Sequence, residues 1–467
     1  MATRDAPRLI LGGLSGDAGK TIVSMALLLA FQRRDVQVRA FKKGPDYIDA
    51  GWLTWASGHP ARNLDTYMMG PERVASSFAV NSIADGVNLI EGNRGLFDGF
   101  DTAGTHSTAE LARLLQAPVI LVLDATKITR TAAAQVLGCQ HFDPALRIAG
   151  VILNRVNGKR HERILRECIE GTCNVPVLGV VAKNPALSLV PERHLGLVTP
   201  EEFAQTGRIE QELTEVAAGL QLDRLHEVAN STSAFSAPDV ITGPLPNGRG
   251  LKIACVKDSA FSFYYAENIE MLERAGAELV HVSSLGNGTL PSDVDAIYIG
   301  GGFPETHAQQ LAANQSFMNW LREAALSRLP TYAECGGLMV LSRSLTWRGT
   351  RYPMAAVFDF DVHVCDNVQG HGYVQLEVDG PNPFFEKGVV LRGHEFHYSR
   401  IVLEDLVHLP FTACAVNRGT GCFKGRDGIV TGNVWASYTH LHALASPEWV
   451  TGMINAARQR RACSRAA

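Results

Sequence analysis

The sequence predicts an α/β protein of two domains, an N-terminal parallel-sheet domain with a phosphate-binding loop and a C-terminal α/β domain. Three observations predict it. Short, nearly continuous apolar runs alternate with helix-like stretches through the first half, the order expected of βαβ units. A segment rich in Ser, Pro, Gly and Asn then interrupts the pattern. Beyond it a strand–helix–strand order starts again.

In chain order, the first-half strands are RLILGG near Leu9, VQVRAFK near Val38, VNLIEG near Leu89, PVILVLDA near Ile120 and IAGVILN near Ile152. Runs of this kind suit strands covered on both faces. Helical patterns separate them, among them Thr21 to Arg33 and Ser107 to Gln116. The first domain is therefore placed at residues 1–226, a linker at 227–250 and the second domain at 251–467. The second domain opens with the strand LKIACVKD, a helix around Asn268 to Ala275, and the strands AELVHV and AIYIGGG. After about Tyr352 β-rich pieces such as YVQLEV and GVVLRG dominate.

The bulk composition excludes several classes of function. At 467 residues, 46% hydrophobic and 19% charged, the chain has apolar material for large cores and too little charge for a disordered polymer. A formal net charge of −4 gives no electrostatic footprint for nucleic acid. No apolar stretch is long enough to span a membrane, and the start MATRDAPRLILGG lacks the apolar core and cleavage site of a signal peptide. Nine cysteines without metal-ligand spacing read as reduced thiols in a cytoplasmic enzyme.

Two segments carry chemistry. GGLSGDAGKT, Gly12 to Thr21, follows a strand and opens a helix, the context a P-loop requires. Its backbone N–H groups at Gly16, Asp17, Ala18 and Gly19 and the helix N-terminus would surround phosphate oxygens. Lys20 would reach the β- and γ-phosphates, and Thr21 would ligate Mg²⁺. Five residues separate Gly13 from Gly19, one more than the strict pattern, and Leu14 stands where that pattern wants glycine. Asp46 and Asp49 in KKGPDYID, and Glu91 at the end of VNLIEG, are carboxylates at strand ends, where open α/β sheets bind ligands. Lys42, Lys43, Arg62 and Arg94 are nearby cations for phosphate or substrate carboxylates.

LPTYAECGGLMVLS, Leu329 to Ser342, reads as strand, tight turn, helix. A nucleophile at Cys335 would project from the sheet, with the N–H of Gly336 as an oxyanion donor and the helix N-terminus favouring the thiolate. The glycine turn GGGFPE, holding Gly302, is a second source of oxyanion donors. His440 and His442 in WASYTHLHA are the leading candidates for the base, and His394 and His397 in GHEFHYS compete with them.

These segments together resemble the cobyrinic acid a,c-diamide synthase family. The P-loop, FKKGPDYID, GHPARNLD, EGNRGLFDG, DSAFSFYYAEN, GGGFPE, AECGGLMVLS, GHEFHYS and ASYTHLHA come in the family's order. The N-terminal half is similar to dethiobiotin synthetase, whose P-loop has the same extra residue. The C-terminal half looks like a flavodoxin-like class I glutamine amidotransferase domain. The resemblance implies ATP- and glutamine-dependent amidation of the a- and c-acetate carboxylates of cobyrinic acid, through acyl phosphates and with ammonia from glutamine passing between domains. Nickel-sirohydrochlorin, hydrogenobyrinate and sirohaem are alternative macrocycles. It implies ATP and Mg²⁺ as cofactors, with Thr21, Asp46 and Glu91 on the metal, Asn154 at the adenine, and Tyr47 and Asp49 facing substrate or metal. It also implies Cys335 and His440 as the glutaminase pair. The partners expected are the tetrapyrrole and L-glutamine, with no nucleic acid or membrane, and a homodimer is compatible with it. One position departs from the class I pattern: His442 stands where a Glu commonly orients the catalytic His. A P-loop regulatory ATPase is the competing class, but no lysine precedes Lys20 in the loop and a fused glutaminase would be unexplained.

Overall fold

A computed structural model describes residues 2–183, 192–193, 196–203, 206–241, 243–403 and 409–466. Two compact units divide the chain, Met1–Thr66 with Gly70–Thr242, and Tyr67–Met69 with Gly243–Ala467.

The first unit is built on a seven-stranded sheet of β1 (Arg8–Gly13), β2 (Val38–Lys43), β3 (Arg62–Leu64), β4 (Val87–Glu91), β5 (Val119–Asp124), β6 (Ile148–Val156) and β7 (Val177–Ala182). Their order is β3-β2-β4-β1-β5-β6-β7, and every neighbouring pair is parallel. All six residues of β1 and all five of β4 are buried, in keeping with their nearly continuous apolar runs; the polar residues among them, Arg8, Asn88 and Glu91, are buried too. The sequence reading gave five of these strands; β3 and β7 are additions. Helix α1 (Lys20–Gln32) follows β1, and α2 (Tyr47–Ser57) follows β2. The carboxyl ends of β1, β2, β4 and β6 thus bring the Gly-rich loop, Asp46, Glu91 and Asn154 to one edge of the sheet.

The stretch 227–250, expected as a linker, begins as the end of the helix Leu222–Asn230 and continues into the strand Phe235–Ala237, which pairs antiparallel with Ala2–Arg4. Buried Arg8 fastens it: its guanidinium donates to the carbonyls of Leu115, Ala6 and Ser233. Five fixed donors suit a site lined by carbonyl oxygens.

The second unit holds a ten-stranded mixed sheet of β8 (Lys252–Val256), β9 (Glu278–Val282), β10 (Ala296–Ile299), β11 (Thr331–Glu334), β12 (Gly370–Val378), β13 (Val390–His397), β14 (Thr412–Arg418), β15 (Arg426–Thr431), β16 (Val434–Ser437) and β17 (His440–Leu441). The order is β9-β8-β10-β11-β16-β15-β14-β12-β13-β17. The first five strands are parallel and the remainder antiparallel. The antiparallel strands β12, β13, β14, β15 and β17 all follow Tyr352, where the pattern changes, while β16, also after Tyr352, joins the parallel part beside β11. Helix α3 (Ala266–Arg274) follows β8, and the short α4 (Gly336–Leu341) follows β11. Among the described residues no helix is long and apolar enough to cross a membrane.

Candidate active sites

In the first unit, Gly19 closes the loop as N-cap of α1 with φ of 90°, a conformation that favours glycine. A Cβ there would collide with the Nδ2 of Asn154, whose amide donates to the Ala18 carbonyl at 2.9 Å. Asn154 therefore braces the Gly16–Gly19 loop from β6. Lys20 is buried, and its Nζ donates to the carbonyls of Ser15 (2.8 Å), Gly16 (3.1 Å) and Arg94 (2.9 Å). Burial, and then the neighbouring Lys42, lower its pKa.

Beside it lies a compact charge network. Lys42, fully buried, donates to Asp49 Oδ2 at 2.6 Å and Glu91 Oε1 at 2.7 Å. Burial opposes its charge, but Asp49, Glu91 and Asp46 outweigh that and raise its pKa. The Thr21 hydroxyl donates to the same Glu91 Oε1 at 2.9 Å. Asp46 is the N-cap of α2, where its Oδ1 accepts the Asp49 N–H at 2.8 Å. Burial and then repulsion from Asp49 push the Asp46 carboxyl up to about 7. Tyr47 and Asp49 sit half-buried in the first turn of α2. Lys43 is buried with a lowered pKa from burial, and Arg62 is half-buried on β3.

Glu91 gives a test of metal fit. It is completely buried, and its Oε2 has no hydrogen-bond partner among the described residues. An unpaired buried carboxylate oxygen beside a threonine hydroxyl suits a hard cation. No group of three or more His, Cys, Asp or Glu among the described residues is placed to hold a metal by itself. Mg²⁺ shared between one or two carboxylates and nucleotide phosphates needs no such cage.

In the second unit, Cys335 sits between β11 and α4 with φ of 47° and ψ of −96°, a strained elbow of the kind that holds nucleophiles. The Cys335 N–H donates to the Ser437 carbonyl at 2.7 Å, and the Gly337 N–H to the Gly300 carbonyl at 3.1 Å. Side chains would be crowded at Gly336 and excluded at Gly302. A Cβ on Gly336 would lie 3.1 Å from Gly302 N, and one on Gly302 would collide with the Ala260 carbonyl. The Gly336 residue thereby packs against the backbone of Gly301 and Gly302. Tyr264 braces the same turn, accepting the Gly300 N–H at 2.7 Å and donating to the Val256 carbonyl.

The structure separates the four histidines. His440 on β17 stands against the glycine turn, since a Cβ on Gly301 would fall 2.5 Å from its Cε1. His394, opposite it on β13, stacks on its ring at 5.0 Å and meets the Tyr265 hydroxyl at 3.2 Å. His397 bonds the Ser399 carbonyl and stacks on Tyr438. His442 accepts the Leu444 N–H and lies 3.4 Å from Glu267.

The helix N-terminus was expected to favour the Cys335 thiolate; burial, and then the field of Glu305, push the thiol pKa up against the Gly336 N–H. A thiol so placed would need a base to act as a nucleophile. The sequence reading also missed Glu334. It is completely buried at the end of β11, with Oε2 at 3.3 Å from His440 Nδ1 and Oε1 accepting from Leu441 N (3.2 Å) and the Tyr332 hydroxyl (3.1 Å). A carboxylate ending an otherwise apolar strand, next to the nucleophile, was the available signal.

Two family models match, the CobQ/CobB/MinD/ParA nucleotide binding domain over residues 9–198 and the CobB/CobQ-like glutamine amidotransferase domain over residues 252–448. Proteins named cobyrinate a,c-diamide synthase match across almost the entire chain. The one from Magnetococcus marinus is 39% identical over 461 residues, covering 97% of this chain and 98% of that protein. The chain belongs to the cobyrinate a,c-diamide synthase family. The Dehalococcoides mccartyi synthase is 39% identical, covering 96% of this chain and 97% of its own. The Salmonella typhimurium synthase is 38% identical, covering 96% and 98%. The synthase family thus pairs a nucleotide-binding domain with a glutamine amidotransferase domain, and the two sites fall one in each matched segment.

Proposed function

We propose that the chain converts the a- and c-acetate carboxylates of cobyrinic acid to amides, using ATP and glutamine. The observation that carries this reading is the full-length match to cobyrinate a,c-diamide synthases in a chain that holds both a phosphate cradle and a cysteine elbow.

A carboxylate is a poor acceptor for ammonia because its anion repels nucleophiles and offers no leaving group. Transfer of the ATP γ-phosphoryl group to it gives an acyl phosphate and ADP. Backbone amides of Gly16–Gly19 cradle the nucleotide phosphates, and Lys20 neutralises charge on the transferring group. Thr21, Asp46 and Glu91 would hold Mg²⁺, which supplies charge neutralisation on phosphate oxygens when bound. Lys42 holds Asp49 and Glu91 in place through short hydrogen bonds to both, and Tyr47 and Asp49 face the substrate. Asn154 acts at the nucleotide through its hold on the Ala18 carbonyl.

At the elbow, the Cys335 sulfur attacks the glutamine side-chain amide while its proton passes to His440. The amides of Gly336 and Gly302 receive the oxyanion. Collapse of the tetrahedral intermediate, with a proton returned to the leaving nitrogen, releases ammonia and leaves a glutamyl thioester that water hydrolyses. Ammonia then displaces phosphate from the acyl phosphate to form the amide.

Mass spectrometry of products tests the assignment. The protein with Mg-ATP and glutamine should add two amides to cobyrinic acid and none to nickel-sirohydrochlorin or sirohaem. Amidation of another macrocycle in preference would retain the chemistry and replace the substrate.

A further inference from the structure

His440 must carry its proton on a defined nitrogen if it is to accept one from a thiol. His442, two residues on, does not set this, since its Nδ1 accepts the Leu444 N–H at 3.1 Å and its Nε2 lies 3.4 Å from Glu267 Oε2. His394 stacks on the His440 ring at 5.0 Å, a contact through faces. Glu334 is different. One of its oxygens is taken by two groups that can only donate here, the Leu441 N–H at 3.2 Å and the Tyr332 hydroxyl at 3.1 Å. The other stands 3.3 Å from His440 Nδ1. A completely buried carboxylate accepts and does not donate when ionised. Its second oxygen is then the acceptor that faces Nδ1, an arrangement that suits a His440 proton on Nδ1, with Nε2 on the Gly301 side of the ring. Leu441 follows His440 directly, so one carboxylate holds both the ring and the backbone beside it.

We propose that Glu334, the residue immediately before the nucleophile, is the positioning carboxylate of the glutaminase site: it sets the tautomer of His440 and stabilises the imidazolium formed when Nε2 takes the Cys335 proton. The proposal rests on the reading of Cys335 and His440 as the glutaminase pair. It makes the pair a triad whose acid member comes from the elbow strand.

Glu334→Gln is the discriminating variant. Its amide oxygen must stay with the Leu441 N–H and the Tyr332 hydroxyl, so its NH₂ group faces His440 Nδ1. The ring then carries its proton on Nε2 and cannot take the thiol proton. The loss expected in glutamine-dependent kcat is ~10³- to 10⁴-fold, as for a wrong-tautomer histidine in other triads. The glutamine KM should stay within about threefold, and synthesis from free ammonia within about twofold. Retention of glutamine-dependent kcat to within about tenfold would overturn the proposal. If Glu334→Gln lost both activities, Glu334→Asp decides. Return of ammonia-dependent synthesis with partial return of glutamine-dependent turnover supports a positioning role, while joint loss again makes Glu334 a framework residue and overturns it. Cys335→Ala run alongside separates the two levels. Glutamine-dependent turnover surviving in that variant would remove the underlying reading and this inference with it.

Discussion

At the nucleotide cradle, Lys42, Asp49 and Glu91 are held in contact inside the protein, with Lys20 nearby on three carbonyls. At the cysteine elbow, burial pushes the pKa of the Cys335 thiol up and that of His394 down. The first region stores charge before the reaction starts, and the second withholds it until a proton moves. The chemistry of each accounts for the difference. Phosphoryl transfer begins with several negative oxygens that must be met by fixed cations. In the glutaminase reaction proposed for the elbow, the thiol becomes a nucleophile only as its proton leaves. Isolated buried ion pairs are poor sources of stability, so the Lys42 network is better understood as preorganisation for a charged ligand.

The largest effects should come from removing one centre at a time. Lys20→Ala should lower both glutamine- and ammonia-dependent synthesis by ~10³-fold or more, because the transferring group loses its cation. Cys335→Ala should abolish only glutamine-dependent synthesis. Parallel steady-state assays with glutamine and with ammonium chloride check both. If Cys335→Ala depressed the two activities equally, the separation into a charge-storing and a charge-creating site would fail. A smaller effect is expected from Glu91→Gln, which removes the buried carboxylate whose Oε2 has no partner among the described residues. The Mg²⁺ concentration for half-maximal synthesis should rise ~10- to 100-fold, with glutamine hydrolysis at the elbow much less affected. An unchanged Mg²⁺ requirement would place the metal on other residues.

Most of the framework was legible because its signals are local. The apolar runs at Leu9, Leu89 and Ile120 announce strands buried on both faces, and the loop Gly12–Thr21 declares itself through GKT after a strand. The cap of α2 is Asp46, which follows a proline, and its Oδ1 accepts the N–H of Asp49. Strands Arg62–Leu64 and Val177–Ala182 escaped, the first because it has three residues, the second because glycine interrupts its apolar run. Motif reading alone left His394, His397, His440 and His442 as candidates and the family resemblance singled out His440; that its ring is the one that meets Gly301 across the sheet could not be read from the chain. Glu334 was hidden for the same reason: its partner His440 lies 106 positions away. Burial of Cys335 likewise acts against the effect expected from local sequence, since a helix terminus can be read from the chain and the depth of a thiol cannot.

The finest test of the contrast concerns His394. Burial first, then the proximity of His440, His371 and His442, hold its pKa well below 6.5. The Tyr265 hydroxyl meets its Nδ1 without adding charge. In the unfolded chain the same imidazole takes a proton near its ordinary pKa. Above that value both states are neutral at this position and stability is unaffected by pH. Below it the unfolded state binds a proton that the folded state refuses, so stability falls with acidification by up to about 1.4 kcal/mol per pH unit for this one group. Denaturant unfolding at a series of pH values between 7 and 5 should show this decline, superposed on that of other groups. His394→Gln keeps a hydrogen-bonding partner for Tyr265 and removes the titration, so its decline should be shallower by one proton. An identical slope in the variant would mean that the elbow admits a charge at rest, and the distinction from the cradle would then rest on Cys335 alone.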